Sequence, residues 1–149
     1  MIVCEPNFFS KGYKLKFEDG QLGSMTIELL TDRVHFHFSA VVYEAAKESV
    51  FSNRWRLTLD GATIATAAKP NPLVRTFEIT SEQGNISIQS RSLFFRKFDL
   101  LMSGKKVGGI EQPNIFTKRA LITGPATMPD VLQVFAFSLV ALTWRQARR

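Results

Sequence analysis

The sequence predicts a mainly β protein: a closed antiparallel β-barrel of about 10–12 short strands around a buried hydrophobic C-terminal helix. Three observations lead there. Hydrophobic residues alternate with polar ones through most of the chain, with turn residues between the runs. The final segment, from Met128 onward, reads instead as one helix, expected over 128–147. Its polar residues Gln133, Ser138 and Thr143 lie five apart, so at about 100° per residue they point to different sides and leave no wet face. A helix apolar all round is enclosed by protein or by lipid.

Taken in order, strands are expected over roughly 3–122. Tyr13, Leu15 and Phe17 alternate with Lys14, Lys16 and Glu18, and Asp19-Gly20 turns the chain. Met25, Ile27 and Leu29 share the next parity. Val34, Phe36 and Phe38 follow, opposed by His35 and His37. Residues 40–50 interrupt the alternation. Their alanines and the charges of Glu44, Lys47 and Glu48 suit a short helix, while Val41-Val42-Tyr43 would equally extend the preceding strand. Alternation returns at Trp55, Leu57 and Leu59. Asp60-Gly61 turns it into 63–67, and a loop with Pro70 and Pro72 leads to 74–80. Gln83-Gly84 then turns into 86–90. The longest run, 93–101, is turned by Ser103-Gly104 into 107–110, and a last strand is expected over 115–122. Counted this way the strands number about ten. Thr127 is the expected helix cap, with Asp130 as its capping-box partner and Pro129 in the first turn.

The helix has two possible surrounds. Its apolar run, 131–144, is about 21 Å long, against a bilayer core of roughly 30 Å. That length suits the height of a barrel better than a membrane span, although a tail anchor in lipid is the alternative. The 149 residues fit one domain, 1–149, with no linker. Cys4 is the only cysteine, which excludes an internal disulfide and fits a reducing, cytoplasmic setting. It is expected at an untethered end. The first residues lack the basic and apolar regions of a signal peptide.

Short strands in Gly-turned hairpins, closed by a uniformly apolar helix, resemble the tubby C-terminal-like superfamily. That superfamily includes the tubby proteins, the phospholipid scramblases and the LURP-one-related proteins. The resemblance rests on the order of elements and on Trp55-Arg-Leu-Thr-Leu-Asp-Gly61, Phe98-Asp-Leu-Leu-Met-Ser-Gly-Lys-Lys-Val-Gly-Gly-Ile110 and the terminal helix. It implies a twelve-stranded barrel threaded by the helix, and association with membrane or phosphoinositide rather than catalysis. The segment before the helix carries a single carboxylate, Asp130, where scramblases have an acidic calcium loop. There is no cysteine cluster for palmitoylation.

The net charge of +6 is concentrated after Gly84, which favours anionic partners. The candidate anion or lipid-headgroup residues are Arg91, Arg96, Lys97, Lys105, Lys106, Lys118 and Arg119. Arg91 and Lys97 share one strand parity and Arg96 the other, so the set does not occupy a single strand face. Arg145, Arg148 and Arg149 would add to a basic rim where the helix emerges. The expected partner is an anionic phospholipid surface, peripheral to a cytoplasmic protein, or a protein located there. A nucleic acid is the competing partner for the same cations. His35 and His37 sit on one strand face and are weak metal candidates, with no third histidine in the chain to complete a site. No enzyme motif is present and no cofactor is expected. Ser103-Gly104-Lys105-Lys106 lacks the upstream glycine of a phosphate loop.

Overall fold

The computed structural model describes residues 1–7, 11–28, 30–71, 75–91, 96–114 and 116–147. Among the described residues, twelve strands precede one helix. They are β1 (Ile2–Pro6), β2 (Gly12–Lys16), β3 (Leu22–Ile27), β4 (Val34–Phe38), β5 (Val41–Lys47) and β6 (Arg54–Leu59). β7 (Ala62–Ala68), β8 (Thr76–Ser81), β9 (Gly84–Ser90), β10 (Lys97–Met102), β11 (Lys105–Glu111) and β12 (Ala120–Thr123) follow, then α1 (Asp130–Ala147). Each strand pairs antiparallel with its neighbours in sequence. β1 also pairs with β12, Ile2 opposite Ile122 and Cys4 opposite Ala120, so the barrel is closed and has no free edge.

Alternation fixes which face is inside. Leu15, Met25, Phe36, Leu57, Phe77, Ile88, Leu100 and Ile122 point in and are at most 1% exposed. Lys14, Lys16, Thr26, His37, Arg56 and Glu78 point out. A membrane-spanning barrel carries the reverse alternation. Two bulges break the regular register, between Leu57 and Thr58 and between Leu100 and Leu101. Each leaves one extra partner residue, Ile64 and Val107, and both pack on the core.

The helix occupies the interior. From Leu132 to Trp144 every residue is buried, on all faces. Phe137 meets the Tyr13 ring of β2 edge-on at 4.9 Å, and Trp144 meets Phe98 of β10 at 6.5 Å. The three polar residues are satisfied locally: the Gln133 amide donates to the Met128 carbonyl, Ser138 to Phe135 and Thr143 to Leu139. No helix among the described residues is long and apolar enough to cross a membrane.

Several expectations need correction. Residues 40–50 hold no helix: β5 runs through Val41–Lys47, and the two-residue turn Ser39-Ala40 delivers it, with φ of 53° and 58°. No glycine marks that turn, so the hairpin was hidden. Cys4 is not untethered. It is fully buried in β1 between β2 and β12, and burial pushes its thiol far above the usual range, so it is a poor nucleophile. The helix begins after Pro129, whose carbonyl accepts from Leu132 and Gln133, so the cap position falls there and not at Thr127. β12 spans only Ala120–Thr123, and Phe116 lies outside it, exposed. The expected strand residues Leu29, Val74 and 93–95 lie outside the described residues, and β10 begins at Lys97.

Candidate functional site

Because the strands run alternately up and down, the connections fall at two ends. One end holds the short turns at 17–21, 39–40, 60–61, 82–83 and 103–104, with the segment 124–129 that enters the helix. These carry Glu18, Asp19, Asp60 and Glu82, and no lysine or arginine. Asp130 in the first helical turn adds to them. Its carboxyl is pushed above the usual range by burial and by the Asp19 charge. The other end holds the longer connections 7–11, 28–33, 48–53, 69–75, 91–96 and 112–119, and the end of the helix. Lys11, Arg33, Lys69, Arg75, Arg91, Arg96, Lys118 and Arg119 lie in these loops, against Glu28, Asp32 and Glu48. The barrel therefore has an acidic turn end and a basic loop end.

The basic residues singled out in the sequence divide accordingly. Arg91, Arg96, Lys118 and Arg119 are in the loop-end connections, and Lys97 opens β10 beside them. Lys105 is at the opposite end, next to the Ser103-Gly104 turn. Lys106 faces outward on the wall and pairs with Asp99 at 3.3 Å, which Arg91 also approaches at 3.8 Å. Lys97 lies 3.9 Å from Glu111, and Arg119 3.3 Å from Glu5. Arg96 turns inward, donating from Nη2 to the Gln112 carbonyl at 2.8 Å. Arg91, Lys97 and Lys106 line one groove of the outer wall together with Gly108 and Gly109, but Asp99 and Glu111 line it too. That groove is a set of ion pairs in water, each of small energetic weight.

Arg145 is not a free rim residue. Its side chain is 15% exposed, and its Nη1 donates to the Glu28 carbonyl at 2.6 Å and lies 3.6 Å from Asp32. It fastens the helix end to the 28–33 loop. Arg148 and Arg149 lie outside the described residues. His35 and His37 do not form a pair: His35 sits 2.9 Å from Glu28 and 3.8 Å from Glu44, and His37 is exposed. Hydrogen bonds from Thr31, then from His35, hold the Glu28 carboxyl below the usual range. Among the described residues no group of three histidine, cysteine or acidic side chains could hold a metal ion.

The loop end also exposes apolar side chains, and sequence reading missed them. Leu30 is 96% exposed, Val50 83%, Phe51 97% and Phe116 88%. They stand in three different loop-end connections, 28–33, 48–53 and 112–119. Among the described residues the other exposed large apolar side chains, Met1, Leu22 and Val42, are each less than 60% exposed and lie toward the turn end. Their signal in the sequence is position: each exposed tip falls between strands, among polar residues such as Thr31-Asp32, Ser49, Ser52-Asn53 and Asn114. These four side chains thus stand at the same end of the barrel as most of the loop cations.

Comparisons of the chain with models of protein families, with curated proteins and with solved structures found no match.

Proposed function

We propose that this chain is a tubby-like, non-enzymatic barrel that docks peripherally on anionic phospholipid by its loop end. The observation that carries the reading is coincidence: among the described residues, the cationic end is also the end with the most exposed apolar tips. Each component has a matching element of an anionic bilayer. Lysines and arginines near the surface gain about 1 kcal/mol apiece from the negative leaflet potential. Leu30, Phe51 and Phe116 would lose water contact at the interface, about 2 kcal/mol for each side chain fully withdrawn. The helix takes no part in anchoring, since its apolar faces are already covered by the barrel. The antiparallel meander of twelve strands around a C-terminal helix supports the tubby-like assignment. A nucleic acid would engage the same cations but leave the apolar tips idle.

Co-sedimentation with phosphatidylcholine vesicles, with and without phosphatidylserine, tests the reading. Binding is expected only with phosphatidylserine, falling steeply with salt. Phe51→Ser combined with Phe116→Ser removes up to about 4 kcal/mol and should weaken it by at least tenfold and up to about a thousandfold, and Lys11→Glu combined with Lys118→Glu by at least tenfold. Lys105→Glu, at the far end, should leave it unchanged. Equal binding to neutral vesicles, no binding at low salt, or an equal loss from Lys105→Glu overturns the assignment. A shift of single-stranded or duplex DNA that ignores the Phe51 and Phe116 changes would favour the nucleic-acid reading instead.

A further inference from the structure

Inside the loop-end mouth lies a cavity of about 170 Å³ that the outer surface does not explain. Its floor is the end of the helix, with Leu139, Leu142 and Thr143. Its wall is aromatic: Trp55 of β6 and Phe77 of β8 meet edge-on at 5.4 Å. Lys47 is opposite Trp55 in the β5–β6 register and so points inward, its Nζ 5.4 Å from the indole centroid. Lys69 follows Ala65 and Ala67 on the inward parity of β7, and its Nζ stands 5.4 Å from the Phe77 centroid. The Lys69 amide donates to the Asn53 carbonyl at 3.0 Å, which holds the side chain at the mouth.

Two ammonium groups thus converge on one cavity, and no carboxylate lines it among the described residues. Neither makes an ion pair among the described residues, and each rests on a ring face. Burial, then the charges of Arg75 and Lys47, hold the Lys69 ammonium below the usual lysine range. The fold therefore keeps like charges together at a cost. Trp55 is 5% exposed, and its buried Nε1 meets no acceptor among the described residues. The amides of Asn53 and Gln146 complete the lining.

We infer that the mouth cavity is a binding site for a phosphate-sized dianion, clamped by Lys47 and Lys69 over the Trp55 and Phe77 rings. A dianion would neutralise both ammonium groups at once, which a water-filled cavity cannot do. This site lies within the loop end through which the barrel is proposed to dock and shares Lys69 with it, but it is carried by the cavity and stands whether or not that docking occurs. The phosphate could arrive free or as the monoester headgroup of a lipid.

The test titrates the full chain with inorganic phosphate and pyrophosphate against chloride at matched ionic strength, reading melting temperature and tryptophan emission. A saturable rise in melting temperature is expected. Lys47→Met and Lys69→Met should each lower the affinity tenfold or more. Both variants should still melt cooperatively in chloride, at or above the wild-type temperature because repulsion is relieved. Lys105→Glu is the distant control and should bind as wild type does. A second arm compares phosphatidic acid with phosphatidylserine vesicles of equal charge. A preference for phosphatidic acid that both lysine changes abolish places the phosphate on a lipid; soluble binding without that preference places it free. A response that is absent in both arms, or that persists in both lysine variants, overturns the site. Loss of vesicle docking with soluble binding intact would fault only the docking surface.

Discussion

Ser39 and Ala40 both take left-handed backbone angles, φ 53° and 58°, in the two-residue turn between β4 and β5. Asp60-Gly61 and Ser103-Gly104 make comparable turns, but with glycine in the second position. An L-residue in that region costs on the order of 1 kcal/mol, and alanine has no polar group to offset it. Ala40→Gly should therefore raise stability by about 0.5–1 kcal/mol in urea unfolding, net of the extra freedom glycine gives the unfolded chain. A loss of stability would contradict the turn conformation. Lys69 gives a prediction in pH. Its ammonium is held below the usual lysine range in the fold, so the folded chain binds fewer protons between that depressed value and the unfolded one. Wild-type stability should gain from this group as pH rises through that window. Lys69→Met should be the more stable protein at pH 7, with a margin that shrinks toward the ordinary lysine pKa, as followed by melting temperature across pH. A margin that stays constant would show that Lys69 is not strained in the fold. Ala40 also explains what the sequence hid. Without glycine or asparagine at the turn, its alanine-rich surroundings looked helical. Reading the segment as a helix or as an extension of β4 also concealed Lys47, which shares the inward parity of Tyr43 and Ala45.

The helix is the element whose behaviour follows most directly from its composition. Leu139 is completely buried and faces the mouth cavity region between β6 and β8. Leu139→Ala should cost about 3 kcal/mol, measured by chemical unfolding. Ser138 is equally buried, yet its hydroxyl only donates to the Phe135 carbonyl one turn back. Ser138→Ala should change stability by less than about 1 kcal/mol, because that carbonyl keeps its place in the helical ladder. If Ser138→Ala proved as damaging as Leu139→Ala, the hydroxyl would be reaching a partner on the wall. The helix and most strands were legible because burial imposes a period: 3.6 broken by polar residues on every side for the one, two for the others. Their ends were less legible. Pro129 takes the cap that Thr127 was expected to hold, because the chain turns at Pro125 to enter the barrel, with the Met128 amide donating to the Pro125 carbonyl. β12 is short because the preceding loop holds Phe116 out in water. Hydrophobicity alone reads such a phenylalanine as core.

At the scale of the molecule, the two ends carry opposite charge, an arrangement that no window of sequence displays. The bias after Gly84 was visible, but Lys11, Arg33 and Lys69 join the same end only through the up-and-down course of the strands. The same course separates Lys105 from Lys118, which are near in sequence and opposite in space. A barrel polarised along its axis should meet a negative surface loop end first, so the salt sensitivity of vesicle association should sit in its on-rate. Stopped-flow mixing with phosphatidylserine vesicles would show it; an on-rate indifferent to salt would mean that orientation by charge is absent. The pairing of β1 with β12 has a different consequence, for synthesis. During translation all twelve strands leave the ribosome before the segment from Leu132 to Trp144 that covers their inner faces. Until then Leu15, Phe36, Leu57 and Phe77 line an unfilled sheet whose first strand waits for its last. Until that helix emerges, such a nascent chain offers unpaired edges and apolar surface. It is the kind of client that a ribosome-bound chaperone holds, because the inner faces of the strands are covered only once the helix has emerged.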